Sequence, residues 1–193
     1  MAIEKAQQRL TYAEALKELP ETRGEFIHGE FVMTPAPHPS HQRIAGFIYN
    51  QLTNFLGQHP DLGAVYIAPV DVVLRAEPPE IVYQPDLLFI SKEREDIVTN
   101  AVQGPPDLVF EVVSSSSRRN DAIEKRNTYA QFGVPEYWVV WPEEERIDVL
   151  SAIANGLYTA HQEYAPEQTL TTSQLPGFGL DVGRVFAQGR SGQ

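Results

Sequence analysis

The sequence contains no cysteine, which excludes both disulfide bonds and thiolate zinc sites. No stretch approaches the roughly 20 apolar residues of a membrane-spanning helix, and the first residues lack the basic and apolar regions of a signal peptide. Cations are also few, since 15 lysines and arginines stand against 26 acidic residues, for a formal net charge of −11. We therefore expect a cytoplasmic protein without membrane contact. Because general nucleic-acid binding relies on many cations, any contact with phosphates must be local or assisted by metal ions.

What the chain does contain is the composition of one globular domain. Of its 193 residues, 42% are hydrophobic and 21% are charged, which is ordinary for a folded protein. No internal repeat or linker interrupts the sequence. We expect a single domain over residues 1–193, with its core at about 10–180.

Periodicity and turn residues predict the order of the elements. Thr11 begins a short helix with Glu14 in the capping-box position, and a hairpin over 24–33 turns at His28-Gly29. Ser40 caps a second helix. The remaining predicted elements are a bent strand or strand pair over 63–77 interrupted at Pro69, strands over 81–90 and 107–113, a helix at about 119–132 ending at Gly133, strands over 136–141, 146–152 and 157–164, and a short helix after Pro176. This order indicates an α+β or α/β fold around one central mixed β-sheet flanked by helices.

Two acidic residues stand out because their neighbours are apolar. Asp86 follows Pro85 at the entrance to LLFI, and Glu111 lies inside DLVFEVV. A carboxylate in such a strand is costly unless it is paired or binds a cation. Two carboxylates and a backbone carbonyl, that of Val112, suit Mg²⁺ or Mn²⁺, with waters and phosphate oxygens completing the shell. The pattern is typical of a metal-dependent phosphodiesterase.

A lysine on the following helix completes this pattern. Asp121, Lys125 and Tyr129 have the i, i+4, i+8 spacing of one helical stripe, so the helix can place Lys125 beside the strand of Glu111. The ammonium there would orient or activate the attacking water, or stabilise transition-state charge. An ordinary ion pair between Asp121 and Lys125 remains an alternative interpretation.

The turn before this helix offers phosphate ligands. Free amides and hydroxyls at a helix start can bind a phosphate group, although the same serines can serve as a plain N-cap. The densest basic patch of the chain lies here too. The candidate phosphate-binding residues are Ser114, Ser116, Arg118, Arg119 and Arg126.

Taken in order, the motifs EFIHGEFVMTPAPHPSHQRI, QPDLLFI, FEVVSSSS and the run from NDAIEK to YWVVWP resemble the Uma-type restriction endonucleases, a family of the PD-(D/E)xK nuclease superfamily. The resemblance covers roughly residues 10–180 and implies a restriction-endonuclease-like fold. It implies Asp86 as the first metal ligand and Glu111 as the acid of the second motif. The superfamily lysine falls at Val113 in this chain, and its role passes to Lys125. Glu30 and His41 are the candidates for an additional ligand from an early element.

The resemblance further implies a Mg²⁺-dependent endonuclease acting on nucleic acid, with DNA as the expected substrate, and a homodimer. Two other functions stay open at this point. The net charge of −11 and the displaced lysine are compatible with a catalytically silent nuclease-fold protein that serves as a binding or assembly module. A carboxylate-pair glycosidase is the third possibility.

Overall fold

The structure is a computed structural model that describes residues 11–18, 24–27, 30–33, 36–77, 79–113 and 119–190. The side chains of residues 16, 18 and 119–122 lie outside this description. None of the described helices is long and apolar enough to cross a membrane.

The described residues form helices and strands in a mixed order. The helices are α1 (Tyr12–Glu18), α2 (Pro39–Gln58), α3 (Arg119–Gln131) and α4 (Val182–Arg190), with a 3-10 helix at Lys92–Ile97. The strands are β1 (Gly24–Ile27), β2 (Glu30–Met33), β3 (Gly63–Ile67), β4 (Val72–Arg75), β5 (Ile81–Tyr83), β6 (Leu87–Ser91), β7 (Val102–Gln103), β8 (Leu108–Val112), β9 (Glu136–Trp141), β10 (Arg146–Ala154), β11 (Leu157–Tyr164), β12 (Thr169–Thr171) and β13 (Gly179–Asp181).

Two larger sheets carry most of the strands. The first has the order β2-β1-β5-β4-β7, and the second has the order β11-β10-β9-β8-β6-β3; β12 and β13 form a separate pair. Both larger sheets are mixed, because β4 runs parallel to β7 and β8 runs parallel to β9. The chain passes from the first sheet to the second between β5 and β6, and this crossing segment contains Asp86.

Three apolar clusters hold these layers together. On one face of the second sheet, α2 and α4 pack against side chains such as Phe110 and Trp138. The other face, with Val109 and Tyr137, packs against Tyr129 of α3 and against β4 and β5 of the first sheet. A smaller cluster joins α1 to the outside of the first sheet. The region between the two sheets is therefore buried on several sides.

The structure confirms the predicted α+β class, with mixed β-structure flanked by helices. It also confirms the capping box, since the Thr11 amide donates to Glu14 Oε2 at 2.8 Å, and the end of α3 near Gly133, which has φ +82°. The region around Pro69 forms two strands in different sheets. The predicted turn at His28-Gly29 lies outside the described residues.

Three predictions about elements are wrong. The predicted single sheet is two larger sheets. The strand expected over 81–90 is divided into β5 and β6, because Gln84, Pro85 and Asp86 leave one sheet and enter the other. Ser40 is not the cap of α2: the helix begins at Pro39, and the His38 side chain accepts a hydrogen bond from the Ser40 amide. Proline suits the first helical position because its missing N–H would be unpaired there anyway.

Candidate functional site

The candidate site lies where the two larger sheets meet. Glu25 comes from β1 of the first sheet, Glu111 from β8 of the second, and Asp86 from the segment between them. Helices α2 and α3 add His41 and Lys125. All five side chains are 10–19% exposed, so the site is recessed but open to solvent.

Asp86 is held by backbone and side-chain contacts. Its Oδ2 accepts a hydrogen bond from the Val112 amide at 2.7 Å and lies 3.0 Å from His41 Nε2. Its own carbonyl accepts a hydrogen bond from the Ala68 amide at 2.9 Å. The carboxylate is thus fixed against the end of β8, beside the strand that carries Glu111. The carbonyl of Val112, the third predicted metal ligand, belongs to the same residue that binds Asp86 through its amide.

His41 reaches Asp86 because of the apolar stripe of α2. The buried residues Ile44, Ala45, Ile48, Leu52 and Leu56 follow helical spacing, and His41 precedes Ile44 and Ala45 by one turn on the same face. The stripe faces the second sheet, so it brings the imidazole to the edge where that sheet receives the crossing segment. Nδ1 of His41 is buried without a hydrogen-bond partner among the described residues.

Glu111 and Lys125 form a direct ion pair. Nζ of Lys125 donates to Glu111 Oε1 at 2.9 Å, and the Tyr129 hydroxyl donates to the same oxygen at 3.2 Å. Lys125 and Tyr129 are one helical turn apart on α3, as the predicted stripe requires. The ammonium also lies 5.4 Å from the centre of the Tyr83 ring, where it makes a cation–π contact. Helix α3, which follows β8, therefore places the ammonium of Lys125 against the carboxylate of Glu111.

Glu25 is the residue that sequence reasoning missed. Its Oε1 accepts hydrogen bonds from Lys125 Nζ at 2.8 Å and from the Gln84 amide at 2.8 Å. The predicted additional ligand in the same hairpin, Glu30, lies at the exposed start of β2. The pairing of Ile27 with Glu30, and of Glu25 with Val32, puts both acids on one face of the hairpin. Alternation alone could not separate them; Glu25 lies in the inner strand, next to β5.

The charges at the site are unbalanced. The carboxylates of Glu25 and Glu111 both contact the ammonium of Lys125, and the third carboxylate, that of Asp86, lies against His41. Burial and the charges of Asp86 and Glu25 raise the pKa of Glu111 to about 7, against the lowering effect of Lys125. Burial alone would lower the pKa of Lys125, but its two carboxylate partners outweigh this effect and raise the pKa well above the ordinary value. Lys125 is therefore protonated at neutral pH.

The pKa of His41 depends on the same acids. Burial lowers it, but the hydrogen bond to Asp86 and the charges of Asp86 and Glu111 have the larger combined effect, so the net pKa is raised. The pKa of Tyr129 is raised well above its usual range, first by burial and then by Glu111 and Glu25. Tyr129 consequently keeps its proton and acts as a donor to Glu111.

The donor set fits a divalent cation. Buried carboxylates in excess over their cation are the hard oxygen ligands that Mg²⁺ and Mn²⁺ prefer, and a raised carboxyl pKa marks a site that a further positive charge would stabilise. Asp86 and Glu111, with the Val112 carbonyl, are the residues that would hold the ion.

Another group of potential metal ligands lies on β10 and β11. Within the described residues, the ligand atoms of Asp148, His161 and Glu163 lie within 4.8 Å of one another. Arg146 already pairs with both carboxylates of this group, with Nε 3.3 Å from Asp148 Oδ1 and Nη1 3.9 Å from Glu163 Oε1. Because the guanidinium supplies the positive charge, we do not assign a metal there.

The remaining predicted site residues are only partly described. Ser114, Ser116 and Arg118 lie outside the described residues. Arg119 and Asp121 belong to the first turn of α3, and their side chains are outside the description. Arg126 is half-buried, and its charge lowers the pKa of the Tyr158 hydroxyl, against the larger raising effect of burial. The phosphate-binding role of these residues stays a prediction.

Comparisons with known proteins agree with this architecture. The crystal structure of a "putative nuclease belonging to DUF820" from Anabaena variabilis superposes with a TM-score of 0.78 at 17% identity, covering 93% of this chain and 99% of that one. No curated protein matches the sequence. A family model does match residues 10–183, and its description is Uma2, putative restriction endonuclease. Since this match spans nearly the whole sequence, the chain belongs to the Uma2 family.

Proposed function

We propose that this protein is a metal-dependent endonuclease that hydrolyses phosphodiester bonds, with DNA as its substrate and Mg²⁺ or Mn²⁺ as its cofactor. The observation that carries the proposal is the contact between Lys125 Nζ and Glu111 Oε1 at 2.9 Å. It supplies from a helix the cation that the superfamily pattern expects on the strand at Val113. The superposition on a solved protein described as a nuclease supports the fold that this proposal requires.

In the proposed reaction, Asp86, Glu111 and the Val112 carbonyl would hold the cation, whose chemistry when bound would be to polarise the phosphate and activate water. Lys125 remains protonated because Glu25 and Glu111 raise its pKa. It therefore acts as a fixed positive charge that orients water and stabilises the developing phosphorane charge, and not as a base. Tyr129 holds Glu111 in place through its hydroxyl. His41 holds Asp86 in place through its Nε2 atom.

Calorimetry with Mn²⁺ and Mg²⁺ tests the cofactor. We expect the wild type to bind the ion, and we expect Asp86→Asn and Glu111→Gln to abolish binding because each removes one charged oxygen ligand. Glu163→Gln is the matched control at the group on β10 and β11, and it should bind like the wild type. Loss of binding in Glu163→Gln with retention in Glu111→Gln would move the metal to that other group and contradict the proposal.

Cleavage assays on single- and double-stranded DNA and RNA test the chemistry. Removal of the cation in Lys125→Met should lower kcat by about a hundredfold or more, the usual effect of losing one electrostatic donor in a catalytic site. Lys92→Met is the control, since Lys92 is 53% exposed and pairs with Glu95 at the surface. A Lys125→Met variant as active as the wild type would refute the role of Lys125.

The rival function is a catalytically silent binding module. The two ion pairs of Lys125 favour it, because they satisfy the lysine within the protein. The two functions differ in the metal titration: a silent module shows no Mn²⁺ binding and no cleavage of any substrate. We also propose a homodimer on the basis of the family resemblance, which light scattering of the purified protein would test.

A further inference from the structure

A chain of hydrogen bonds leads away from the site to the first helix. The Gln84 amide donates to Glu25 Oε1 at 2.8 Å, and the Gln84 side chain donates through Nε2 to Asp71 Oδ1 at 2.6 Å. The other oxygen of Asp71 accepts from the Tyr12 hydroxyl at 2.6 Å. These hydrogen bonds thus lead from α1, through Asp71 just before β4, to the carboxylate that binds Lys125.

Gln84 is the central residue of this series of hydrogen bonds. Its backbone holds Glu25, and two residues later the same segment presents Asp86, with the rigid Pro85 between them. A shift of the backbone at Gln84 therefore moves two of the three carboxylates together. The preceding residue, Tyr83, is fully buried in β5, so movement is restricted on that side. The bond from Nε2 to Asp71 restrains the segment through the Gln84 side chain.

In this network, the carboxylate of Asp71 is held by two side chains. Both of its oxygens accept short hydrogen bonds, one from Gln84 and one from Tyr12. Tyr12 is itself anchored, since its ring packs edge-on against Phe26 at 5.7 Å. Phe26 is the neighbour of Glu25 in β1. The network consequently connects Tyr12 to the strand of Glu25 by two routes. One is the ring contact with Phe26, and the other is the series of hydrogen bonds through Asp71 and Gln84.

We propose that Gln84 and Asp71 are positioning residues of the active site. They fix the crossing segment so that Glu25 meets Lys125 and Asp86 meets the end of β8. This inference rests on the proposed function for its catalytic consequence. Residues that orient metal ligands from behind typically change affinity or activity by about ten- to hundredfold when they are replaced.

The contact between Gln84 and Asp71 allows a swapped-pair experiment. In Gln84→Glu a carboxylate faces the carboxylate of Asp71, so the bond is replaced by repulsion. In Asp71→Asn the bond can re-form, because the Gln84 amide can flip and accept from the new amide group. In the double variant the new Asn donates to the new Glu and still accepts from Tyr12. Gln103→Glu, at an exposed position of β7, controls for one added negative charge.

The three variants should differ in a specific order. We expect Gln84→Glu to lower kcat and Mn²⁺ affinity by about tenfold or more, with KM for nucleic acid unchanged. Asp71→Asn and the double variant should lie close to the wild type. A general loss of folding would not be repaired by adding a second substitution, so recovery in the double variant identifies the contact itself.

A readout independent of activity separates this inference from the proposed function. The rate at which an amine-acylating reagent modifies Lys125, followed by mass spectrometry, should rise several-fold in Gln84→Glu and return in the double variant, with Lys92 as the exposed internal reference. A wild type that neither binds Mn²⁺ nor cleaves would refute the proposed function, and the labelling order would still decide positioning. The inference is overturned if Gln84→Glu matches the wild type in Lys125 labelling, or if the double variant is no better than Gln84→Glu.

Discussion

At the scale of single residues, the carboxyl group of Glu111 has an unfavourable environment for its charged form. It is buried among like charges, and its pKa of about 7 means that it holds a proton more tightly in the folded protein than in the unfolded chain. One pKa unit corresponds to about 1.4 kcal/mol. A carboxylate in this state lowers stability at neutral pH, which is characteristic of residues kept for function.

The raised pKa of Glu111 predicts how the free energy of unfolding depends on pH. The contribution of Glu111 is fully present below its ordinary pKa of 4.5 and is lost as the pH rises through about 7. In a chelator-containing buffer, the wild type should therefore lose on the order of 3 kcal/mol of unfolding free energy relative to Glu111→Gln between pH 4 and 8. Urea denaturation of both proteins measures the difference. A difference that stays constant over this range would contradict the assigned pKa.

The residue scale also shows how far the sequence could lead. Asp86, Glu111 and Lys125 could be predicted because acids in apolar strands and a helical stripe are visible as patterns. Glu25 could not, because Glu30 shares its face of the hairpin, and only the order of strands in the sheet distinguishes them. Gln84 was equally hidden, since the role of its amide depends on the chain changing sheets at that point.

At the scale of elements, the pairing of β3 with β6 holds the strand that follows Asp86. Gly63 pairs with Ser91 and has φ +134°, and a Cβ there would overlap the carbonyl oxygen of Ile90. Gly57, in the last turns of α2, has open space in the direction of a Cβ. The two glycines thus have opposite requirements although they are close in sequence.

We expect Gly63→Ala to lower the free energy of unfolding by about 2–3 kcal/mol, because it combines a backbone clash with a strained φ. Gly57→Ala should raise it by about 0.5 kcal/mol, since alanine favours the helix. Thermal and urea denaturation measure both changes. Equal stability of the two variants would show that β3 and β6 do not approach as closely as described.

The same scale explains the wrong boundaries in the sequence prediction. The run IVYQPDLLFI has apolar residues on both sides of Gln84, Pro85 and Asp86. The proline argues against one continuous strand, but the local pattern does not show that the two halves belong to different sheets. The division arises because β5 pairs with β1 and β4, whereas β6 pairs with β3 and β8. Strand pairing of this kind depends on distant residues, so it is not encoded in any short window.

At the scale of the whole molecule, the acidic balance should limit substrate binding. With a net charge of −11 and with Lys125 paired, we expect the contacts to phosphates to come from the predicted phosphate-binding arginines, Arg118, Arg119 and Arg126. Each phosphate contact contributes about −0.9 to the slope of log affinity against log salt concentration on duplex DNA. Three contacts give a slope of about −3.

Fluorescence anisotropy with labelled duplex DNA, measured in Ca²⁺ at several salt concentrations, tests this value. Replacement of Arg126 by Gln should reduce the magnitude of the slope by about one if the arginine contacts a phosphate. Gln103→Glu serves again as the charge control away from the site. A slope near −6 or steeper would reveal a larger cationic surface than these three arginines provide.

The two ion pairs of Lys125 have a consequence for the folding of the protein during its synthesis. Its two partners are 100 and 14 positions away along the chain and belong to different sheets. A nascent polypeptide has no assembled centre until α3 has emerged from the ribosome and docked on both sheets. Translation products that end before α3 therefore lack the ion pairs of this centre. A break introduced between Glu25 and Lys125 would likewise separate the two residues into different fragments, neither of which holds the whole centre.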